Sequence, residues 1–268
     1  MDSPLLTTER QARICALLAE EGRVLASPLA RRFNVSEDTV RRDLRDLAQA
    51  GLCRRVYGGA VPLAPSDGPL GERRNLAPHR KASLGRAIAA TIEPGALVFI
   101  DSGSTNLAVA DALAVDTGLT VVTNAPLIAC ALVERGIETI LVGGRIDAAT
   151  GACFGPKALT DADRFRPDVL VLGACGIDAG AGVTAQVFEE AELKAALVAR
   201  SARILVAATN DKIGTAAPYA VMAVEQISTL FIENDCDSAE SATLAARGVT
   251  LVRAEAEATA PRPAAERT

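Results

Sequence analysis

Seven short aliphatic runs, spread between residues 97 and 252, constrain the fold of this chain more than any other feature. Several are almost continuous in Val, Ile and Leu, a pattern typical of parallel strands that are covered on both faces. Segments rich in Ala and Leu lie between many of them, which predicts an α/β domain with a mostly parallel sheet. The predicted strands are residues 97–100, 119–122, 139–142, 169–172, 204–207, 230–232 and 250–252.

Polar or glycine-rich turns follow four of these strands, and ligands of such sheets bind at the carboxyl ends of the strands. The first turn, residues 101–105, leads into a helix whose N-terminus favours an anion such as phosphate. An ordinary turn capped by Ser104 or Thr105 is the alternative. The candidate crevice residues at strand ends are Asp101, Ser102, Gly103, Ser104, Thr105, Thr123, Asn124, Gly143 and Gly144, with residues 173–178 beyond them.

Two lysines near these turns could supply charge to an anion, as a lysine does beside a phosphate. Lys212 follows the strand predicted at 204–207, and Lys194 lies four residues after Glu190 on a predicted helix. Spacing alone favours an ordinary helical ion pair between Glu190 and Lys194.

A second organising feature is the run SEDTVRRDLRDL at residues 36–47. Ser36 can cap a helix, and Val40, Leu44 and Leu47 then form one apolar stripe. A short helix with a buried stripe and an arginine-bearing outer face has the form of a recognition helix for DNA, although a solvated arginine face is the alternative. The residues off the stripe are Thr39, Arg41, Arg42 and Arg45.

Two shorter helices precede this one, and a basic hairpin follows it. The first is predicted to begin with a capping box of Thr8 and Gln11, and the second with Ser27 as cap before Pro28. Three helices and a glycine hairpin predict a winged helix-turn-helix. The DNA contacts we expect are Ser36, Thr39, Arg41, Arg42, Arg45, Arg54, Arg55 and Tyr57, with simple solubility the alternative for Arg54 and Arg55.

Composition limits the remaining possibilities. The net charge is −5, but residues 1–62 hold ten arginines against eight carboxylates, so this part carries +2. The case for DNA binding therefore rests on where the arginines lie and not on the net charge. One histidine and six cysteines without ligand spacing predict no metal site and a reducing compartment. No apolar run of membrane-spanning length and no secretory signal occur, which predicts a cytoplasmic protein.

The N-terminal motif resembles the DNA-binding signature of the DeoR family of bacterial transcriptional regulators. The run from Leu29 through 39–44 (TVRRDL) to 58–60 (GGA) carries this resemblance, with Tyr57 where a histidine is common. The strand-end motifs, with Lys194 and Lys212, also resemble the family's effector domain, which is akin to ribose-5-phosphate isomerase and senses phosphorylated sugars. Asn106 and Thr209 depart from that pattern.

The resemblance implies a repressor of sugar catabolism genes that binds operator DNA and a phosphorylated sugar effector, as a homodimer or homotetramer, without cofactor, metal or catalytic residues. We expect a winged helix-turn-helix at 1–62, a linker at 63–77, an effector domain at 78–253 and a disordered tail at 254–268. The alternative is a phosphosugar isomerase with an accessory DNA-binding domain. Its catalytic groups would come from Asp101, Asp178, Glu190 and Lys194. The basic cluster at residues 73–81 could face DNA or an anionic effector, and the sequence leaves both open.

Overall fold

The computed structural model describes residues 6–65 and 68–255. Most of the tail predicted to be disordered, from residue 256 onward, lies outside the described residues. So do residues 66–67 of the predicted linker.

The N-terminal part is the predicted winged helix-turn-helix. Its apolar stripes meet in one core that includes Ile14, Phe33, Val40 and Leu44. The strands form a small antiparallel sheet in which β3 lies between β1 and β2. Its elements are α1 (Thr7–Glu21), β1 (Val24–Leu25), α2 (Ala26–Phe33), α3 (Glu37–Gln49), β2 (Arg54–Val56) and β3 (Gly59–Val61).

The starts of the first two helices differ from the sequence prediction. The N-cap of α1 is Leu6, whose backbone N–H donates to the Glu9 side chain at 3.3 Å, so Thr8 already lies inside the helix. α2 begins at Ala26, which places Ser27 and Pro28 within its first turn. In contrast, Ser36 caps α3 as predicted, and its side chain accepts from the Thr39 N–H at 3.1 Å.

The C-terminal part is built on one seven-stranded parallel sheet, which confirms the predicted α/β class. The strand order is β15-β14-β12-β9-β4-β5-β6, and every neighbouring pair runs parallel. All seven predicted strands occur within one or two residues. They are β4 (Leu97–Ile100), β5 (Thr120–Thr123), β6 (Glu138–Leu141), β9 (Val169–Leu172), β12 (Arg203–Ala208), β14 (Thr229–Ile232) and β15 (Leu251–Arg253).

Helices cover both faces of this sheet and bury its aliphatic side chains in two cores. One core contains Phe99, Val122 and Leu172, and the other contains Val98 and Val121. The helices are α4 (Leu70–Asn75), α5 (Pro78–Ala89), α6 (Ser104–Ala112), α7 (Pro126–Glu134), α8 (Pro156–Ala162), α9 (Phe188–Val198) and α10 (Ser238–Ala246). Short strands outside the main sheet are β7 (Arg145–Ile146), β8 (Cys153–Phe154), β10 (Gly176–Asp178), β11 (Gly182–Ala185) and β13 (Tyr219–Met222).

The described residues of the predicted linker pack on the effector domain. The Ala64 N–H donates to the Ala216 carbonyl at 3.1 Å, and the Leu70 N–H donates to the Ala149 carbonyl at 2.9 Å. Leu70 is buried and begins α4, so this segment has regular structure that its Pro and Gly content did not predict. Among the described residues, no helix is long and apolar enough to cross a membrane.

Candidate DNA-binding surface and effector crevice

The arginine-bearing face of α3 is exposed, as a recognition helix requires. Arg42 and Arg45 are exposed, and Thr39 is half-buried beside Ser36, with 2.9 Å between the two hydroxyl oxygens. Arg41 is also exposed and lies 3.2 Å from the Glu37 carboxylate on the preceding turn. An exposed pair of this kind is worth little, so DNA phosphate can compete for Arg41.

A buried ion pair that the sequence pattern did not reveal fixes α3 in place. Arg10 on α1 donates to both carboxylate oxygens of Asp43, at 2.5 and 3.0 Å. Both residues are buried, and the bidentate geometry adds orientation as well as energy. The two residues are 33 positions apart in the sequence, so no periodicity of a helix or strand could have linked them.

The hairpin of β2 and β3 forms the wing and carries the other candidate DNA contacts. Tyr57 at its tip is 96% exposed, Arg55 is exposed and Arg54 is half-buried. Gly59 allows the wing to pack closely, because a Cβ there would lie 1.9 Å from the Val24 carbonyl oxygen. The eight predicted contact residues therefore share two neighbouring elements, α3 and the wing.

The candidate effector site is a crevice at the carboxyl ends of the three central strands, β4, β9 and β12. Its cavity of about 160 Å³ has room for roughly five water molecules, and therefore for a small organic ligand. The predicted residues that line it are Ser102, Gly103, Ser104, Thr105, Lys194 and Lys212.

The N-terminus of α6 opens into this crevice without a side-chain cap. Gly103 is the N-cap residue, and its φ of +138° is a backbone conformation that favours glycine. Glycine has no side chain to accept from the first N–H groups of the helix, and Ser104 and Thr105 lie inside the helix, so neither acts as the cap that the alternative required. Uncapped N–H groups and the helix dipole together suit a bound anion.

Lys194 lies at the base of the crevice in a buried charged cluster. Its Nζ is 2.6 Å from Glu190 Oε1 and 3.3 Å from Asp101 Oδ2, and it donates to the Gly173 carbonyl at 2.7 Å. Burial by itself would lower the pKa of Lys194, but the two carboxylates outweigh burial and hold that pKa above its ordinary value. Lys194 is therefore protonated.

Two carboxylate oxygens of this cluster have acceptor capacity to spare. Asp101 is fully buried, and burial raises the pKa of its carboxyl group while Lys194 opposes that shift. Asp101 Oδ1 and Glu190 Oε2 are buried and accept no hydrogen bond in the described part of the chain. Hydroxyl groups of a polyol are suitable donors for such atoms.

The structure leaves five predicted crevice residues outside the lining of this cavity. Asp101 is fully buried and contacts Lys194 at 3.3 Å, and the other four have other positions or hydrogen-bond partners. The Thr123 hydroxyl accepts from the Ala125 N–H at 3.1 Å, and the Asn124 amide donates to the Cys153 carbonyl at 3.4 Å. Gly143 and Gly144 follow β6, at the sheet edge and away from the lining. Asn106 does line the cavity, but its amide donates to the Asp101 carbonyl at 2.9 Å.

The crevice also contains residues that the sequence did not assign to it. Arg73 from α4, Thr150 between β7 and β8, and Gln186 before α9 line the cavity. Outside the cavity lining, Arg23 of the winged domain donates to the Asp178 carboxylate at 2.7 Å, which joins the two domains across 155 residues of sequence. Asp178 is buried and also accepts from two backbone N–H groups of its own turn. In the described ranges, no group of three or more His, Cys, Asp or Glu side chains could hold a metal ion.

Two family models match successive parts of the chain. Residues 10–65 match the DeoR-like helix-turn-helix domain, and residues 77–234 match the DeoR C-terminal sensor domain.

Full-length relatives match both parts together. The HTH-type transcriptional regulator GlpR of Haloferax volcanii is 32% identical over 253 residues, covering 92% of this chain and 98% of the relative. The glycerol-3-phosphate regulon repressor of Escherichia coli K12 is 30% identical over 228 residues, covering 84% of this chain and 90% of the relative.

More distant similarity extends to solved structures. The sorbitol operon regulator SorC of Klebsiella pneumoniae has a TM-score of 0.40 at 12% identity, covering 90% of this chain and 99% of that one. Ribose 5-phosphate isomerase A of Neisseria gonorrhoeae has a TM-score of 0.36 at 14% identity, covering 49% of this chain and 52% of that one.

Proposed function

We propose that this protein, which belongs to the DeoR family of transcriptional regulators, is a repressor whose hold on operator DNA is controlled by a small phosphorylated sugar or polyol. The observation that carries the proposal is that one chain combines an exposed arginine face on a capped helix with an uncapped helix N-terminus in a polar crevice.

On the DNA side, α3 enters the major groove. Thr39, Arg41 and Arg42 contact base edges or the adjacent phosphates, and Arg45 extends the same face. The wing residues Arg54, Arg55 and Tyr57 contact the phosphate backbone. Phosphate contacts set the position and the salt dependence, while base contacts supply the specificity.

On the effector side, the phosphate occupies the turn at residues 102–105, where the N–H groups at the start of α6 donate to it. Lys212 borders the same space. The Glu190 carboxylate, which lines the cavity, accepts from effector hydroxyl groups, and Asp101 supports it through their shared contact with Lys194. A site built to pair with hydroxyl groups discriminates strongly against analogues that lack them.

Control requires that the effector favour one arrangement of the DNA-binding domains over another, because a ligand with equal affinity for both arrangements shifts nothing. One small winged domain recognises only a half-site, so we propose a homodimer or homotetramer with operator half-sites related by the same symmetry. The protein acts in the cytoplasm, where both operator DNA and phosphorylated sugars occur.

We assign no catalytic residue to the crevice. Isomerisation needs a carboxylate that is available as a base beside the substrate carbon. Here Glu190 and Asp101 share Lys194, an arrangement that serves binding of a polar ligand equally well. An assay that detects no turnover of pentose and hexose phosphates would support the proposal that the protein is a regulator. Turnover by the purified protein would favour the isomerase instead.

The test is binding to the protein's own upstream DNA at fixed salt, repeated with glycerol 3-phosphate and with pentose, hexose and hexitol phosphates. We expect specific binding that one of these compounds weakens. Arg42→Ala should reduce operator affinity, whereas Arg164→Ala, an exposed arginine on the effector domain, should not. Equal operator affinity of the Arg42 variant and the wild type would remove α3 from the proposed interface.

A further inference from the structure

We infer that Arg73, on the short helix between the two domains, is an effector-binding residue that connects the crevice to the DNA-binding domain. This inference rests on the proposed function. It adds to that function a specific cation, the Arg73 guanidinium, and a way in which effector binding in the crevice changes the position of the winged domain.

Arg73 lines the same cavity as the turn at residues 102–105, Lys194 and Lys212. Its side chain is half-buried, and its Nε is buried without a hydrogen-bond partner in the part of the chain that the structure describes. A buried N–H donor without a partner is costly, and an anion in the crevice would supply the missing acceptor.

The charge balance of the crevice also assigns this role to Arg73. Lys194 is already engaged by Glu190 and Asp101, so the two lysines of the site are offset by two carboxylates. Arg73 provides the one excess positive charge. A guanidinium also presents parallel N–H groups that match two phosphate oxygens, which a lysine cannot do.

Helix α4 is held in place at both ends, so Arg73 is positioned before the effector arrives. At its start, the Leu70 N–H donates to the Ala149 carbonyl at 2.9 Å. At its end, the buried Lys81 side chain donates to the carbonyl oxygen of Arg73 itself at 2.5 Å. The backbone that carries Arg73 therefore needs little further ordering when the effector binds.

The position of α4 in the chain gives the coupling. Eight residues separate the wing strand β3 from this helix, and the wing follows the recognition helix. An effector that bonds Arg73 stabilises the arrangement in which α4 is docked on the effector domain. Operator DNA favours a second arrangement, in which α4 is not docked on the effector domain in this way. Effector and DNA therefore oppose each other through this helix.

The experiment compares Arg73→Ala and Arg73→Lys with Arg74→Ala, whose arginine is the exposed neighbour on the same helix. Binding of glycerol 3-phosphate, inorganic phosphate and the effective compound of the sugar phosphate panel is measured on the full-length protein by calorimetry. Loss of a charged hydrogen bond predicts about a 10- to 100-fold weaker affinity for Arg73→Ala. Arg73→Lys should recover part of the loss, and Arg74→Ala should stay within about twofold of wild type.

A second readout separates binding from folding and from the proposed function. The factor by which the effective compound weakens operator binding should fall in Arg73→Ala, while its circular dichroism and urea midpoint match wild type. Wild-type affinity for the compound in Arg73→Ala would overturn the role of Arg73 and leave the proposed function standing. A wild-type protein that binds no phosphorylated probe would overturn both.

Discussion

Removing one partner of the buried Arg10–Asp43 pair should loosen the recognition helix more than any exposed charge change on that helix. Both side chains are buried and joined by two hydrogen bonds of 2.5 and 3.0 Å. Asp43→Ala leaves the Arg10 guanidinium buried without its counter-charge, which costs about 3–5 kcal/mol. Since 1.4 kcal/mol is a factor of ten, amide exchange in α1 and α3 should accelerate by more than about 100-fold, provided that exchange proceeds through opening of this domain.

Hydrogen-exchange mass spectrometry of the full-length protein measures this locally, without requiring the two domains to unfold together. Glu37→Ala is the matched control, because it removes the exposed partner of Arg41, whose pair is worth about 0–1 kcal/mol. An Arg10→Met, Asp43→Leu double variant should recover much of the stability, since it removes both charges. Exchange in Asp43→Ala within about fivefold of wild type would refute the reasoning.

Three other predictions concern the wing, the crevice thiol and the contact between domains. Gly59→Ala should destabilise the wing and weaken operator binding, because its Cβ would meet the carbonyl oxygen of β1 at 1.9 Å; Gly71→Ala, with open space around it, should be neutral or slightly stabilising in thermal melts. Burial raises the pKa of the Cys175 thiol, so iodoacetamide near pH 7.5 should label the exposed Cys130 first, and an effector should slow labelling of Cys175 alone. Arg23→Ala removes the 2.7 Å ion pair to the effector domain and should increase trypsin cleavage between the domains; an unchanged digestion pattern would show that this pair does not hold them together.

Much of the fold could be predicted because the relevant signals are local. An almost continuous aliphatic run such as Val169–Leu172 is typical of a strand buried on both faces, and the stripe of Val40, Leu44 and Leu47 defines the core-facing side of α3. The resemblance to the DeoR family, based on the helix-and-wing signature and the turns at the strand ends, is confirmed by the two family models. Helix starts were less predictable, because at α1 the Glu9 side chain reaches back to a residue that has no capping side chain itself.

Residues of the crevice were predicted only in part, because local sequence patterns do not reveal the order of the strands in the sheet. The turns after β5 and β6 look as polar as the one after β4, yet β6 is an edge strand and β5 lies next to it, while β4, β9 and β12 are central. Thr123, Asn124, Gly143 and Gly144 therefore lie outside the cavity lining. Arg73 was predicted only as part of a basic cluster that could face DNA or an effector, because the preceding segment, rich in Pro and Gly, gives no sign that α4 packs beside the crevice.

The most direct test of the account is its thermodynamic reciprocity. The effective sugar phosphate is titrated into the protein alone and into the protein saturated with operator DNA, at the same salt concentration, and operator affinity is measured with and without that compound. We predict that the compound weakens operator binding by about 5- to 150-fold, and that the operator weakens binding of the compound by the same factor, as linkage requires. Operator affinity that does not change when the crevice is saturated would contradict the account.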